Sequence, residues 1–83
     1  MVTQKVREFI LSNYLFTQDA SALKDDDSLM KRGIVDSTGM LEVIQYLDEE
    51  FGVKVADAEM VPENLDSVKN IVAFVDRKKG VHA

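Results

Sequence analysis

Apolar residues recur at helical spacing in three separate segments of this 83-residue chain, and this repetition most constrains its fold. Residues three and four apart share one face of a helix, so each segment predicts an amphipathic helix. The three apolar stripes are Val2, Val6, Phe9, Ile10 and Tyr14; Met40, Val43, Ile44, Leu47 and Phe51; and Val68, Ile71, Val72 and Val75. We predict helices over Val2–Leu15, over Thr38–Phe51, and from Val68 to a glycine at position 80.

The segments between these helices predict a loop and a short helix. Residues 16–36 have no sustained period and are rich in Asp, Ser and Gly, which favours a long loop, held to the core by its apolar residues. Those residues are Leu23, Leu29, Ile34 and Val35. Residues 56–61 predict a short third helix that Pro62 ends, and Asp66 or Ser67 is the expected N-cap of the last helix.

The predicted fold is therefore all-α: a small four-helix bundle of three main helices and one short helix, with a long loop after the first. It forms a single domain over residues 1–83, of which 80–83 are expected to be a flexible tail. The expected core residues are Val6, Phe9, Ile10, Ile44, Leu47, Phe51, Ile71, Val72 and Val75.

Negative charge is concentrated in the middle of the chain. Residues 36–59 carry seven acids and one base, whereas the segments before and after them are close to neutral. An acidic helix repels nucleic acid and favours a basic protein partner, although a solvated helix face is the simpler explanation. With no cysteine, no signal-peptide pattern and no apolar run of about 20 residues, we expect a cytoplasmic monomer that does not insert into membranes.

No arrangement of residues predicts catalysis. The only histidine, His82, is in the expected tail, so neither a Ser–His pair nor a metal site is indicated, and we expect no enzymatic activity. The run Asp25 to Asp27 lacks calcium-loop spacing, because Leu29 and Met30 stand at a ligand position and at the glycine position. Ser37 has two explanations: a helix N-cap, or an accessible hydroxyl whose phosphate ester the helix dipole would favour.

A resemblance over essentially the whole chain decides between these two explanations. The Gly-x-x-Asp-Ser sequence at 33–37, the acidic helix that ends at residues 49–52, and the segment 62–68 together resemble an acyl carrier protein. The resemblance implies that Ser37 carries 4′-phosphopantetheine through a phosphodiester, and that Asp36 supports recognition by the phosphopantetheinyl transferase. Acyl groups would then be held as thioesters on the arm.

The resemblance also implies partner enzymes. The helix after the serine is the family's recognition helix, and its polar face would contact basic patches on acyl-loading and acyl-processing enzymes of fatty-acid, polyketide or specialised lipid biosynthesis. The residues expected on that face are Leu41, Glu42, Gln45, Asp48 and Glu49, with Leu41 as the apolar contact. If the bundle sequesters the acyl chain, the pocket is expected between the second and third helices.

Two positions depart from the family pattern. Many members have leucine after the serine and an acid after that, whereas this chain has Thr38 and Gly39. These residues favour a specialised carrier over the housekeeping fatty-acid carrier. Two alternatives stay open: an aminoacyl or peptidyl carrier of a nonribosomal or D-alanylating system, and an acidic helical interaction module with no prosthetic group.

Overall fold

The computed structural model describes residues 2–79, which form four α-helices and no strand. The helices are α1 (Val2–Ile10), α2 (Ser37–Phe51), α3 (Pro62–Leu65) and α4 (Val68–Lys79). The all-α bundle predicted from the sequence is confirmed. None of the helices in this part of the chain combines the length and the apolar character needed to span a membrane. The predicted tail, with His82 and the glycine at position 80, lies outside the described residues.

The first predicted helix is present, but its last part changes type. After Ile10 the helix continues as a wider π-helical turn over Leu11–Leu15 and ends at Phe16, which has a left-handed backbone (φ 53°). Turns of this kind are rare and are frequently found at functional sites. Within this turn, Tyr14 reaches the beginning of α2, where its hydroxyl makes hydrogen bonds.

Helix α2 is capped at both ends by residues that its sequence supplies. The Asp36 carboxylate accepts a hydrogen bond from the Gly39 amide at 2.7 Å. At the other end Gly52 adopts a left-handed backbone (φ 68°), its amide donates to the Asp48 carbonyl, and the next amide donates to the Leu47 carbonyl. The Gly52 bond, which spans four residues, is that of the αL C-cap motif, and it fixes where the helix ends.

The long loop is attached to the bundle by polar contacts from α1. The Arg7 guanidinium donates to the Ala20 and Leu23 carbonyls, each at 2.6 Å, and pairs with the Asp25 carboxylate at 2.5 Å. Asp27 pairs with Arg32. Two of the three consecutive aspartates therefore have cationic partners within the fold.

A second set of contacts joins the loop to the last part of the chain. The Asp66 carboxylate accepts hydrogen bonds from the Ser28 hydroxyl and from the Met30 amide, and the Lys69 amide donates to the Asp25 carbonyl at 2.8 Å. Leu29 is fully buried between these contacts. Leu23 and Val35 are buried too, as predicted, whereas Ile34 is only half-buried.

The prediction for the short helix was wrong in position. Residues 56–61 contain only a 3₁₀ turn at Asp57–Glu59, and α3 begins at Pro62 instead of ending before it. Proline suits the first residue of a helix because its φ is already helical and its missing N–H would have no partner there. The expected cap of α4 is confirmed as Ser67, whose hydroxyl accepts from the Asn70 amide at 3.0 Å.

The core is larger than predicted. Five of the nine expected core residues are fully buried, and the other four, namely Phe9, Ile44, Phe51 and Val72, are half-buried. On α4 the buried face includes Phe74 in place of Val72, so the helix is rotated relative to the predicted stripe. Leu23, Leu29 and Val35, predicted to hold the loop to the core, are buried as well. Buried apolar residues that neither prediction named are Leu11, Val43, Val53, Leu65, Val68 and Phe74.

Candidate functional site

Ser37 is the first residue of α2, and its side chain is exposed. The cap of this helix is Asp36, so the structure does not use the serine hydroxyl as the N-cap. Within residues 2–79 no hydrogen bond involves the Ser37 hydroxyl. The capping explanation for Ser37 therefore fails, while the neighbouring aspartate fills that role.

An apolar groove of about 230 Å³ opens beside Ser37, between α2 and the segment that contains α3. It is lined by Met30, Ser37, Met40, Leu41, Ile44, Met60, Val61, Pro62, Leu65 and Asp66. This is where a pocket for an acyl chain was expected. Occupation of the groove by an acyl chain stays a prediction.

Three exposed apolar side chains contribute to this groove. Leu41 is 60% exposed, Met30 45% and Met60 39%. The exposure of Leu41 agrees with its predicted place on the polar face of α2. Met30 and Met60 were not predicted at this site, because both come from segments without a helical period. Methionine side chains are flexible and adapt to varied apolar partners, so this rim suits an apolar group attached near Ser37.

The polar face of α2 is exposed, and several of its residues have partners within the molecule. The Gln45 amide donates to the Glu49 carboxylate at 3.0 Å, Asp48 pairs with Lys54 at 3.2 Å, and Glu42 accepts from the Tyr14 hydroxyl at 2.9 Å. Exposed ion pairs are weak and exchange readily with water. The face therefore still presents carboxylates to a partner.

Tyr14 is the residue near Ser37 whose role the sequence did not indicate. Its hydroxyl lies 2.9 Å from a Glu42 carboxylate oxygen and 3.1 Å from the Gly39 carbonyl. Burial, followed by the hydrogen bond to Glu42, raises the pKa of Tyr14 to about 12. Its only sequence signal was a position on the apolar stripe of the first helix.

Within the described residues, no group of three or more His, Asp or Glu side chains is placed to hold a metal ion. What the site does offer is an exposed hydroxyl at the N-terminus of a 15-residue helix, next to an apolar groove and an acidic face. This arrangement suits a covalent tether.

Comparisons with known proteins agree with this description. The chain is 40% identical over 61 residues to the D-alanyl carrier protein of Streptococcus uberis, covering 74% of this chain and 76% of that protein. It is 29% identical over 79 residues to the acyl carrier protein of Solidesulfovibrio magneticus, covering 95% and 96%. The solution structure of a holo acyl carrier protein from Nitrosomonas europaea has the same fold, with a TM-score of 0.76 at 22% identity over 94% of this chain and 95% of that one. No protein-family model matches the chain.

These relationships define a small helical carrier. The chain belongs to the acyl carrier protein family, the phosphopantetheine-binding carrier proteins. Membership implies covalently bound 4′-phosphopantetheine as the cofactor, and the residues present fit such a group. The Ser37 hydroxyl is accessible and makes no hydrogen bond to the rest of the described chain, and the start of α2 favours a phosphate by its dipole.

Proposed function

We propose that this protein carries acyl groups as thioesters on a 4′-phosphopantetheine arm attached to Ser37. The observation that carries the proposal is the state of that side chain: exposed, not used as a cap, and at the mouth of an apolar groove. The arm supplies the thiol that forms the thioester. The protein supplies the attachment point, the groove and the surface that partner enzymes recognise.

Asp36 has two roles in this proposal. Its carboxylate caps α2 through the Gly39 amide and so fixes the backbone beside the attachment point. The side chain is exposed, so its charge is also accessible to the phosphopantetheinyl transferase. One oxygen is engaged at 2.7 Å with the amide, which leaves the second oxygen available to a donor on the enzyme.

The partner surface in this proposal is the polar face of α2. Leu41, Glu42, Gln45, Asp48 and Glu49 would contact basic patches of the transferase and of acyl-loading and acyl-processing enzymes. Complementary charge speeds encounter and fixes orientation, while an exposed apolar residue among the charges adds contact area. Leu41 is such a residue, at 60% exposure on the helix that also carries Glu42, Asp48 and Glu49.

We further propose a monomer of one domain that works in the cytoplasm without catalytic activity of its own. The match to an acyl carrier protein over 96% of that protein's length supports a one-domain carrier. The acidic face of α2 supports protein partners over nucleic acid or membrane insertion.

The second candidate is an aminoacyl carrier, favoured by the 40% identity to a D-alanyl carrier protein. The apolar groove favours the acyl assignment instead. Its lining contains only one carboxylate, that of Asp66, and this group already accepts hydrogen bonds from Ser28 and Met30. A cationic amino group would find little compensation there. Mass analysis of the thioester recovered from the native host decides between the two cargoes.

The carrier assignment is tested by intact mass after incubation with coenzyme A, Mg²⁺ and a broad-specificity phosphopantetheinyl transferase. The wild-type protein and a Ser12→Ala control, which removes an exposed hydroxyl from the first helical segment, should each gain one phosphopantetheine. Ser37→Ala should gain none. A wild-type protein that stays unmodified would support the third possibility, an interaction module without a prosthetic group. Modification of Ser37→Ala would place the arm elsewhere.

A further inference from the structure

The Tyr14 side chain joins the end of the first helical segment to the first turns of α2. Its hydroxyl is within hydrogen-bonding distance of the Gly39 carbonyl and the Glu42 carboxylate. These two residues are three apart in α2 and therefore lie on the same side of the helix. They follow Ser37 by two and five positions, so one phenol contacts the turns that begin at the attachment point.

The glycine at position 39 leaves room for the Tyr14 ring and for the neighbouring Val35 and Asp36 side chains. A Cβ added there would lie 3.2 Å from Cε1 of Tyr14, 3.1 Å from Cγ1 of Val35 and 3.3 Å from Oδ1 of Asp36. All three distances are shorter than ordinary van der Waals contacts. Glycine is otherwise unfavourable inside a helix. Its presence here allows the tyrosine ring to pack directly against the backbone of the first turn.

The π-helical turn makes this contact possible. The Phe16 amide bonds back to the Leu11 carbonyl, five residues earlier, and Tyr14 lies within this widened turn. Insertion of the extra residue changes the direction of the side chains that follow it. Three unusual features thus coincide here: the π-helical turn, a glycine inside α2, and a phenol hydroxyl placed between two acceptors.

A second tyrosine provides an internal comparison. The Tyr46 hydroxyl, on α2, donates to the Lys5 carbonyl of α1 at 3.2 Å. Like Tyr14, it links the first helical segment to α2 by a phenol hydrogen bond. It lies nine residues after Ser37 in the sequence, more than two helical turns along α2. Removal of either hydroxyl breaks a hydrogen bond between the first helical segment and α2, but only the Tyr14 bonds lie next to Ser37 in α2.

We propose that Tyr14 is a positioning residue for modification of Ser37, which holds the first turn of α2 and the Glu42 carboxylate in the arrangement that the transferase recognises. The inference rests on the proposed function, because it assumes that Ser37 receives the arm. Glu42 is part of the expected docking face, and the phenol fixes one of its oxygens at 2.9 Å. A fixed carboxylate loses less conformational entropy when a cationic partner binds.

The test measures kcat and KM for transfer of phosphopantetheine to purified Tyr14→Phe and Tyr46→Phe. Loss of one hydrogen bond that orients the reacting segment should lower kcat/KM of Tyr14→Phe about three- to tenfold. Tyr46→Phe should stay within about twofold of wild type. Thermal unfolding curves of both variants check that each is folded at the temperature of the transfer assay. Gly39→Ala, which keeps the hydroxyl but crowds the Tyr14 ring together with Val35 and Asp36, should also slow the transfer.

A double-mutant cycle separates positioning from general stabilisation. If Tyr14 acts through Glu42, Tyr14→Phe should have a smaller effect in a Glu42→Ala background than in wild type. Equal transfer rates for Tyr14→Phe and Tyr46→Phe, or strictly additive effects in the cycle, would overturn the proposal. Ser37→Ala, assayed in parallel, tests the proposed function separately. That function would be refuted if the wild-type protein accepted no phosphopantetheine, or if Ser37→Ala still accepted it.

Discussion

Replacement of Asp36 should separate helix capping from enzyme recognition. In Asp36→Ala the Gly39 amide loses its acceptor, the Asp36 carboxylate at 2.7 Å. Because Gly39 is buried, water replaces the lost hydrogen bond poorly. Loss of an N-cap typically lowers the free energy of unfolding by about 1 kcal/mol. Because the amide left without an acceptor is buried, we expect a larger loss here, of about 2 kcal/mol. For a domain of this size, each kcal/mol lowers Tm by about 4–8 °C. For a loss of about 2 kcal/mol we therefore expect Tm to fall by about 8–16 °C.

Asp36→Asn should behave differently, because its side-chain carbonyl accepts the same bond. Only the attraction of the charge to the helix dipole is lost, which is worth about 0.3–1 kcal/mol. Ser67→Ala is the matched control: it removes the N-cap of α4, a 3.0 Å bond to the Asn70 amide, at a helix that does not carry the attachment point.

The assay combines thermal unfolding by circular dichroism with the rate of phosphopantetheine transfer. Asp36→Ala and Ser67→Ala should both lose stability, but only Asp36→Ala should also be loaded slowly. Asp36→Asn should stay nearly as stable as wild type and still be loaded slowly, because the recognised charge is gone. An unchanged Tm for Asp36→Ala would refute the capping argument. Wild-type loading of Asp36→Asn would refute the recognition role and leave the cap intact.

Three further predictions follow from α2 and its contacts. Leu47 is fully buried, whereas Leu41 is 60% exposed. In urea unfolding, Leu47→Ala should therefore lower the free energy of unfolding by about 2–5 kcal/mol and Leu41→Ala by less than about 0.5 kcal/mol. Similar losses for the two variants would show that α2 is rotated. Asp48→Lys should slow association with the transferase, and more so at low than at high salt. Glu8→Lys on α1 gives a protein of the same net charge and should not slow association. Equal effects of the two variants would show that α2 is not the docking face. Because the folded-state pKa of Tyr14 is raised from 10.0 to about 12, its stabilising contribution is complete below pH 10 and is lost as the pH rises toward 12. The stability difference between wild type and Tyr14→Phe should therefore shrink over that range, and a constant difference would contradict the hydrogen bond.

Periodicity predicted the three long helices because each buries one apolar face against the others. The start of α4 at Val68 and the end of α2 before Gly52 were correct because caps are local and depend on a few residue types. Pro62 was misinterpreted because proline both ends a preceding helix and begins a following one. The four residues of α3 are too few to show a period that would have decided between these roles.

Other features depend on contacts that no local pattern encodes. Burial of Phe74 instead of Val72 reflects a rotation of α4 set by its neighbours. The site was predicted at Ser37 from family resemblance, but the role of Tyr14 required the π-helical turn, which brings it to Gly39 across 25 residues of sequence. The contribution of Met60 to the groove likewise depends on how the connecting segment packs.

The attachment of the long loop to Asp66 and Lys69 bears on the order of events during synthesis of the protein. Leu29, Met30 and Ser28 donate hydrogen bonds to Asp66, and Asp25 accepts one from the Lys69 amide. A nascent chain that ends before Asp66 keeps the contacts from Arg7 but lacks those that hold Ser28, Leu29 and Met30 in place. The loop that leads to Ser37 therefore gains its full set of contacts only after Asp66 and Lys69 have been made, so we expect the folded attachment site to form after synthesis has passed these two residues.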